Sequence, residues 1–522
     1  MLTLNLNSEK IVSTMTGGLM HYGLASAADQ FPDHPAILAG DDWWTYAELQ
    51  RASNAAACHL IEQGVGHGDR LALMTSNRPE FVVVVHAASM LGAVPVLLNS
   101  AWKGLEVDGA LALTAPTFGV ADGDGVDLLS ERLGTHRVLD LDADAARTVV
   151  DRASTAAPRR PHVADGDDAV FVFSSGTTDR PKAVRHTHRS MALAVAHWRL
   201  ALGLGQEDRF QVATPPSHIL GLLNLLTAAS AGATVRLHRR FDLDAELRAV
   251  QDDRMTLEMA VAPIALAMAN HPDLETYDLS SLRYVMWGAT PVTPAVAETV
   301  TARSGVRWLP AYGTSEVPVI AANPVGEPER WRLDSAGLPV GDVELRVVDL
   351  SSGEVLAAGE TGEIEVHSGS AMAGYLPDEA TAAAFHDGWY RTGDVGWLEP
   401  EGWVHLTDRC KEMIKVSGFQ VAPAEIEAVL HAHPAVVDCA VFGVADERSG
   451  EVPAAAVQLA AGADVSPDDL RQLVGEALAG YKRLHHVTFV DVVPRTPSGK
   501  VLRRTLRDEW APRLAPAASR TN

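Results

Sequence analysis

The sequence predicts an α/β protein in two parts: a large N-terminal domain of layered mixed sheets and helices that ends in a small β-rich subdomain, then a small α+β C-terminal domain. Three observations carry this. The chain has 522 residues, beyond the ~250–300 at which a single hydrophobic core stops growing. Helical stripes and short apolar strands alternate to about residue 340, the rhythm of a layered α/β domain. From Ser335 the texture turns to short strands between Gly-rich turns, and after Asp408 an α/β pattern resumes. The boundaries that follow are 1–407, with the β-rich part at about 335–407, and 408–522.

The elements follow in chain order. TYAELQRASNAAACHLIEQG opens with Thr45 and has Glu48 three residues on, the signature of a capping box. Leu49, Ala52, Ala56 and Leu60 then share one helical stripe, and Gly64 stops the helix. RLALMT at 70–75 reads as a strand, and the apolar run from Phe81 to Leu98 as a buried helix running into a strand. That run is interrupted by His86, Ser89, Gly92 and Pro95, whereas a bilayer span needs ~18 or more apolar residues in a row. VELRVVD (343–349) and GEIEVH (362–367) are strands of the β-rich part. In the second domain PAEIEAVLHAH (423–433) and PDDLRQLVGEAL (467–478) read as helices and VVDCAVFGV (436–444) as a strand. The Pro/Ala-rich tail from Ala511 reads as frayed.

Composition narrows the function. Hydrophobic residues make up 47% and charged residues 21%, so the chain folds around a real core. A net charge of −24 excludes a nucleic-acid-coating role, which needs a basic footprint, and any anionic ligand must meet locally placed cations. Cys58, Cys410 and Cys439 are widely spaced and form no CxxC pair, so neither a disulfide framework nor a zinc site is expected and a reducing cytoplasm fits. MLTLNLNSEK lacks the basic and apolar regions of a secretory signal.

The chemistry concentrates in a few motifs. VFVFSSGTTDRPKAV (170–184) runs an apolar strand into a loop of hydroxyls and glycine, with Lys182 and Arg185 close by. Backbone amides, hydroxyls and cations together suit phosphate oxygens, although the Walker pattern is absent. Further along stand PPSHILG, AYGTSE (311–316), GEIEVHSGSAMAGY (362–375), WYRTGDVG (389–396), DRCKEMIKVSGFQVAPAEIE (408–427) and PRTPSGKVLRRTL (494–506).

Taken in this order, these motifs resemble those of the adenylate-forming superfamily of acyl-CoA synthetases, luciferases and peptide-synthetase adenylation domains. GFQVAPAEIE and YKRLHHVTFV look closest to its 4-coumarate and fatty acyl-CoA ligase branch. The resemblance implies an ATP-dependent ligase that adenylates a carboxylic acid, releases pyrophosphate and passes the acyl group to CoA. Under it, Ser174, Ser175, Gly176, Thr177, Thr178 and Lys182 hold the triphosphate and Glu316 ligates Mg²⁺. Tyr312, Gly313, Thr314 and Ser315, with the Gly288–Ala289–Thr290 turn, flank the nucleotide. Asp394 holds the ribose hydroxyls, with Arg409 beside it, and Lys415 and Gln420 contact AMP. Lys500 is the adenylation lysine. His218, Gly221, Trp287 and Gly313 line the acid pocket. Asp408 is the hinge of a mobile lid; Gly418, Phe419, Tyr481 and Lys482 face CoA, with Arg483 nearby. His186, His188, His431, His433, His485 and His486 read as structural or exposed.

Two departures from the family pattern stand out. Asp179 and Ala183 occupy positions that are glycine in the usual loop, and a carboxylate near a triphosphate is repulsive unless Arg180, Lys182 or the metal compensates. Trp287 replaces a small residue and fills space beside the acid pocket. The partners expected are a small-molecule acid and CoA, or a stand-alone carrier protein in its place, and the chain leaves room for a homodimer. An unusual oxyacid such as nitrite is the alternative substrate. A self-loading synthetase module is not expected, since no carrier domain follows. A non-enzymatic binding module is disfavoured by the joint retention of Lys500, Glu316 and Asp394.

Overall fold

A computed structural model describes residues 18–173, 182–289, 292–417, 419–446, 448–496 and 500–514. Thr45 caps the helix Tyr46–Glu62. Its hydroxyl accepts the Glu48 amide at 3.2 Å while Glu48 accepts the Thr45 amide at 2.8 Å, so two amides at the helix start are satisfied reciprocally. Leu49, Ala52, Ala56 and Leu60 are all buried. The long apolar run divides into the helix Pro79–Leu91 and the strand Val94–Leu97 at Gly92, whose φ is +66°. All four residues of that strand are buried, because a parallel strand covered on both faces has no solvent side.

Among the described residues the large domain holds three sheets. The first contains seven strands, in the order Gly374–Leu376, Ala183–Thr187, Asp168–Phe173, Val94–Leu97, Arg70–Met74, Phe118–Ala121 and Val138–Asp140. The second contains nine. At its centre Thr234–Leu237, Arg209–Val212, Leu257–Ala260, Tyr284–Trp287 and Trp308–Tyr312 lie side by side and parallel. The chain leaving Val212, Trp287 and Tyr312 therefore emerges along one edge, and the carboxyl ends of parallel strands are where such sheets take ligands.

The third sheet pairs Glu344–Val348, Gly362–His367, Trp389–Leu398 and Phe385–His386, with Val404–Arg409 also on Trp389–Leu398. Residues 335–407 do not all stay in it: Gly374–Leu376 joins the seven-stranded sheet and Leu338–Pro339 the nine-stranded one. Asp408 lies inside the strand Val404–Arg409, opposite Val395.

The second domain is one sheet built on the long hairpin Val436–Asp446 and Gly450–Leu459. Helices Pro423–His431 and Pro467–Ala477 bury Ile426, Leu430, Leu470 and Val474 against Val441 and Val457. Helix Arg503–Leu514 packs Leu506 on the other face, with Phe442 and Val452. Among the described residues no helix is long and apolar enough to cross a membrane.

Candidate nucleotide and acid site

The strand Trp308–Tyr312 ends on Tyr312, whose hydroxyl donates to Asp394 Oδ2 at 2.6 Å. The other carboxylate oxygen meets Arg409 Nε at 2.9 Å. Asp394 and Arg409 are register partners on adjacent antiparallel strands, a geometry that sets two side chains opposite each other on one face. Burial pushes the Asp394 carboxyl above its ordinary range, against the pull of Arg409 and Tyr312. A carboxylate offers about four lone-pair sites, so Asp394 keeps about two free to accept from a pair of donors such as vicinal hydroxyls.

Glu316 closes the next corner. It is 8% exposed, and its Oε1 accepts the Tyr375 hydroxyl at 2.6 Å. Lys182 sits with Nζ 5.3 Å from the Tyr375 ring centre, so one tyrosine braces both an acid and a base. The backbone between is held by His186, fully buried, whose Nε2 donates to the Ser315 carbonyl at 2.8 Å, and by the Met372 amide on the Glu316 carbonyl at 2.8 Å. Thr314 folds the turn: its amide bonds the Val317 carbonyl at 2.9 Å and its hydroxyl accepts the Val317 amide at 3.0 Å. His186 is thus a positioning residue of the Tyr312–Glu316 segment. Tyr375 was singled out by sequence only as the last letter of a motif.

The second domain brings Lys500 into this cluster. Its ammonium is lowered from its usual range by burial and by Arg409, while Asp394, Glu316 and Glu412 pull the other way. It also acts on His218, held down to about 4 by burial first and Lys500 second. His218 starts the helix Ile219–Ala231, and its Nδ1 accepts the Leu220 amide at 3.2 Å. That bond puts the proton of the neutral ring on Nε2. Lys500 of the second domain is therefore within electrostatic range of His218, Asp394, Arg409 and Glu316.

The glycine positions separate into two kinds. Gly288 is open, with Met259 Cε 3.8 Å from where a β-carbon would stand, and Ala289 follows with φ +62°, a strained left-handed residue that turns the chain at the strand edge. Gly221 and Gly313 are closed: a β-carbon would lie 2.1 Å from the Pro215 carbonyl oxygen and 2.1 Å from the Pro318 carbonyl oxygen respectively. They set the close approach of the backbone beneath His218 and beyond Tyr312. Replacing Gly313 by alanine is expected to shift the Tyr312–Glu316 segment and to lower ATP-dependent turnover by about 10²-fold, the cost of a misplacement near 1 Å. Wild-type rates in a steady-state assay would sink that account.

Trp287 is 1% exposed and packs on Trp308, ring centres 5.1 Å apart, in a core with Ala260 and Val285. It fills the space beneath the edge. Of the loop expected to hold phosphate, residues 174–181, including Ser174, Ser175, Gly176, Thr177, Thr178, Asp179 and Arg180, lie outside the described residues, as do Thr290 and Gly418. Ala183 is fully buried in its strand, paired with Phe173 and Leu376, so its methyl group packs in a core and faces no phosphate.

At Asp408, the expected hinge, Oδ2 accepts the Ala424 amide at 3.0 Å, in the first turn of the helix Pro423–His431. Burial raises its carboxyl to about 6, with Arg503 opposing. Arg503 in turn pairs with Glu412 and with Glu427, the latter at 2.8 Å. Lys415 and Gln420 face each other across an exposed hairpin. Phe419, 54% exposed, stacks on Tyr481 with ring centres 4.5 Å apart and planes 16° off parallel, and Lys482 pairs with Glu425.

The chain is similar to known proteins over most of its length. The AMP-binding enzyme family model matches residues 24–376, and the model of the AMP-binding enzyme C-terminal domain matches 425–500. A 4-coumarate–CoA ligase of Oryza sativa subsp. japonica is 35% identical over 526 residues, covering 94% of this chain and 92% of the relative. The amide bond synthetase McbA of Marinactinospora thermotolerans superposes with a TM-score of 0.85 at 31% identity, over 94% of this chain and 100% of that one. ATP-bound MatB of Rhodopseudomonas palustris superposes at 0.86 and 28% identity, over 94% and 99%. The chain belongs to the AMP-binding enzymes, the adenylate-forming superfamily.

Proposed function

We propose that this chain is an ATP-dependent acid:CoA ligase that activates an aryl, cinnamic or medium-chain carboxylic acid. The acid carboxylate attacks the α-phosphorus of ATP, pyrophosphate leaves, and acyl-AMP forms. The thiol of CoA then attacks the acyl carbon, giving the thioester, AMP and a proton. The observation that carries the reading is the buried Tyr312–Asp394–Arg409 cluster beside Glu316, on whose charges Lys500 of the second domain acts electrostatically, as it does on His218.

Each residue has a role that its surroundings support. Asp394, anchored by Tyr312 and Arg409, takes the ribose hydroxyls. Lys500 places positive charge where the attacking carboxylate and the α-phosphate concentrate negative charge. His218 is neutral at pH 7 and presents Nε2–H as a donor to the acid carboxylate. No enzyme nucleophile is required.

The residues present fit Mg²⁺. Among the described residues no group of three His, Cys, Asp or Glu could hold a metal alone, but Mg²⁺ is commonly held by one or two carboxylates together with substrate phosphates. Glu316 keeps Oε2 for that purpose while Tyr375 holds Oε1. The ion, bound with ATP, would neutralise phosphate charge.

Asp394→Ala is expected to raise the KM for ATP by about 10–100-fold, since charge-assisted hydrogen bonds are each worth roughly 1.5–3 kcal/mol. An unchanged KM would remove Asp394 from the ribose role. The reading as a whole is tested by acid-dependent pyrophosphate exchange across short and medium-chain aliphatic, aryl and cinnamic acids, followed by thiol consumption with CoA. Activity with aryl, cinnamic or medium-chain acids supports it, and none with any acid overturns it. A carrier protein or nitrite as the alternative finds no favouring observation.

A further inference from the structure

The strand Trp389–Leu398 is irregular where Asp394 stands. On the neighbouring strand Gly362–His367, Glu363 faces Val395 and Glu365 faces Arg391, so Ile364 alone stands against Thr392, Gly393 and Asp394. Three residues opposite one make a bulge, a device that bends a strand and re-aims a side chain beside a site. Gly393 turns the bulge with φ +69°, a left-handed conformation that glycine adopts without strain.

A bulge takes backbone amides out of the ladder, and where they are buried they need other acceptors. The Asp394 amide donates to the Thr392 hydroxyl at 3.0 Å, and that hydroxyl donates to the Ile364 carbonyl at 2.7 Å. The Gly393 amide donates to Glu363 Oε1 at 3.2 Å. The Gly393 carbonyl accepts the Cys410 amide at 2.8 Å, one residue past Arg409, the ion-pair partner of Asp394. Glu363 is 4% exposed. Arg391 fixes its other oxygen, with Nη2 at 2.6 Å and Nε at 3.2 Å. The residue before Asp394 is thus held at both of its backbone groups, and the amide is held by an anion, which binds an N–H more strongly than a neutral acceptor does.

A second acid on the same strand separates this arrangement from a buried ion pair. Glu365 is also buried, and its oxygens meet Arg346 at 2.5 Å and His386 at 3.3 Å. Those partners are side chains, whereas Glu363 holds the backbone adjoining Asp394. Given the ribose role of Asp394, on which this rests, we propose that Glu363 is a positioning residue for adenylation: by holding the Gly393 amide it sets the bulge that aims the Asp394 carboxylate at the ribose.

The readout is the preference for ATP over 2′-deoxy-ATP, taken as the ratio of kcat/KM values for acid-dependent pyrophosphate release, since a general loss of stability does not distinguish the two nucleotides. The wild type is expected to prefer ATP by about tenfold or more, the worth of one charge-assisted hydrogen bond. Glu363→Ala is expected to lower that ratio toward the value of Asp394→Ala, and to lower it no further when added to Asp394→Ala, as for two residues acting through one contact. Glu363→Gln, which keeps an oxygen for the Gly393 amide, is expected to recover most of the preference. Glu365→Ala is expected to keep the wild-type ratio even where it lowers the melting temperature. Should Glu363→Ala not fold, Arg391→Ala, at a half-exposed side chain, releases the Glu363 carboxylate and is expected to lower the ratio part of the way. A wild-type ratio in Glu363→Ala, or in Arg391→Ala in its place, beside a lowered ratio in Asp394→Ala overturns the role of Glu363 and leaves that of Asp394 standing. An equal fall in Glu365→Ala overturns it as well, because the sheet as a whole would then be the cause. A ratio unchanged in Asp394→Ala overturns both roles.

Discussion

Lys500→Ala is expected to slow acyl-adenylate formation by about 10²–10³-fold while leaving thioester formation from supplied acyl-AMP near its wild-type rate. The magnitude follows from removing one preorganised charge at the transition state of a displacement in which the protein supplies positioning and electrostatics. The asymmetry follows from geometry. Lys500 acts on Asp394, Glu316 and His218 in the present seating of the second domain, whereas thiol attack is at the acyl carbon and forms no bond at the α-phosphorus, so the charge that Lys500 supplies to the first displacement is not needed for that bond. Pyrophosphate exchange reads the first half-reaction, and CoA release from synthetic acyl-AMP the second. Equal loss in both would mean that Lys500 stays in place throughout, and the two-state account would fail.

Asp408→Pro is expected to have the converse effect: exchange persists while CoA turnover falls by more than about tenfold. Proline fixes φ near −65° and removes an amide, so the residue proposed as the hinge is locked. The structure adds a second component. The Asp408 carboxylate accepts the Ala424 amide at 3.0 Å, so it caps the first helix of the second domain and ties that domain to the strand Val404–Arg409. Asp408→Ala removes the cap without locking the backbone, and separates the two. It should ease domain exchange and leave CoA turnover at or above wild type. If the proline variant turns over CoA at the wild-type rate, the rotation lies elsewhere.

Local physics was legible in the residues, and long-range pairing was not. The Thr45–Glu48 box and the break at Gly92 are decided within a few positions, so the helix Tyr46–Glu62 and the junction of Pro79–Leu91 with Val94–Leu97 fall where the pattern puts them. Strand existence after Ser335 was equally readable, but periodicity does not name a partner, and Gly374–Leu376 crosses to the seven-stranded sheet beside Ala183–Thr187. That crossing is what carries Tyr375 to Glu316 and Lys182, which explains why its part was hidden. His186 carried a weak signal for the same reason, since its partner Ser315 is 129 positions away. Gly221 and Gly313 were marked as pocket residues by motif. Their geometry adds a reason independent of any ligand, the backbone approach that excludes a β-carbon.

The most direct test of the central claim is a single-turnover reaction with ATP labelled at the α-phosphate, a substrate acid from the exchange screen, and CoA added after a delay. Before CoA, one equivalent of acyl-AMP and one of pyrophosphate should accumulate per chain; after CoA, the label should appear as AMP with one equivalent of thioester. Label recovered as ADP, or AMP formed without the acid, would contradict an adenylating ligase.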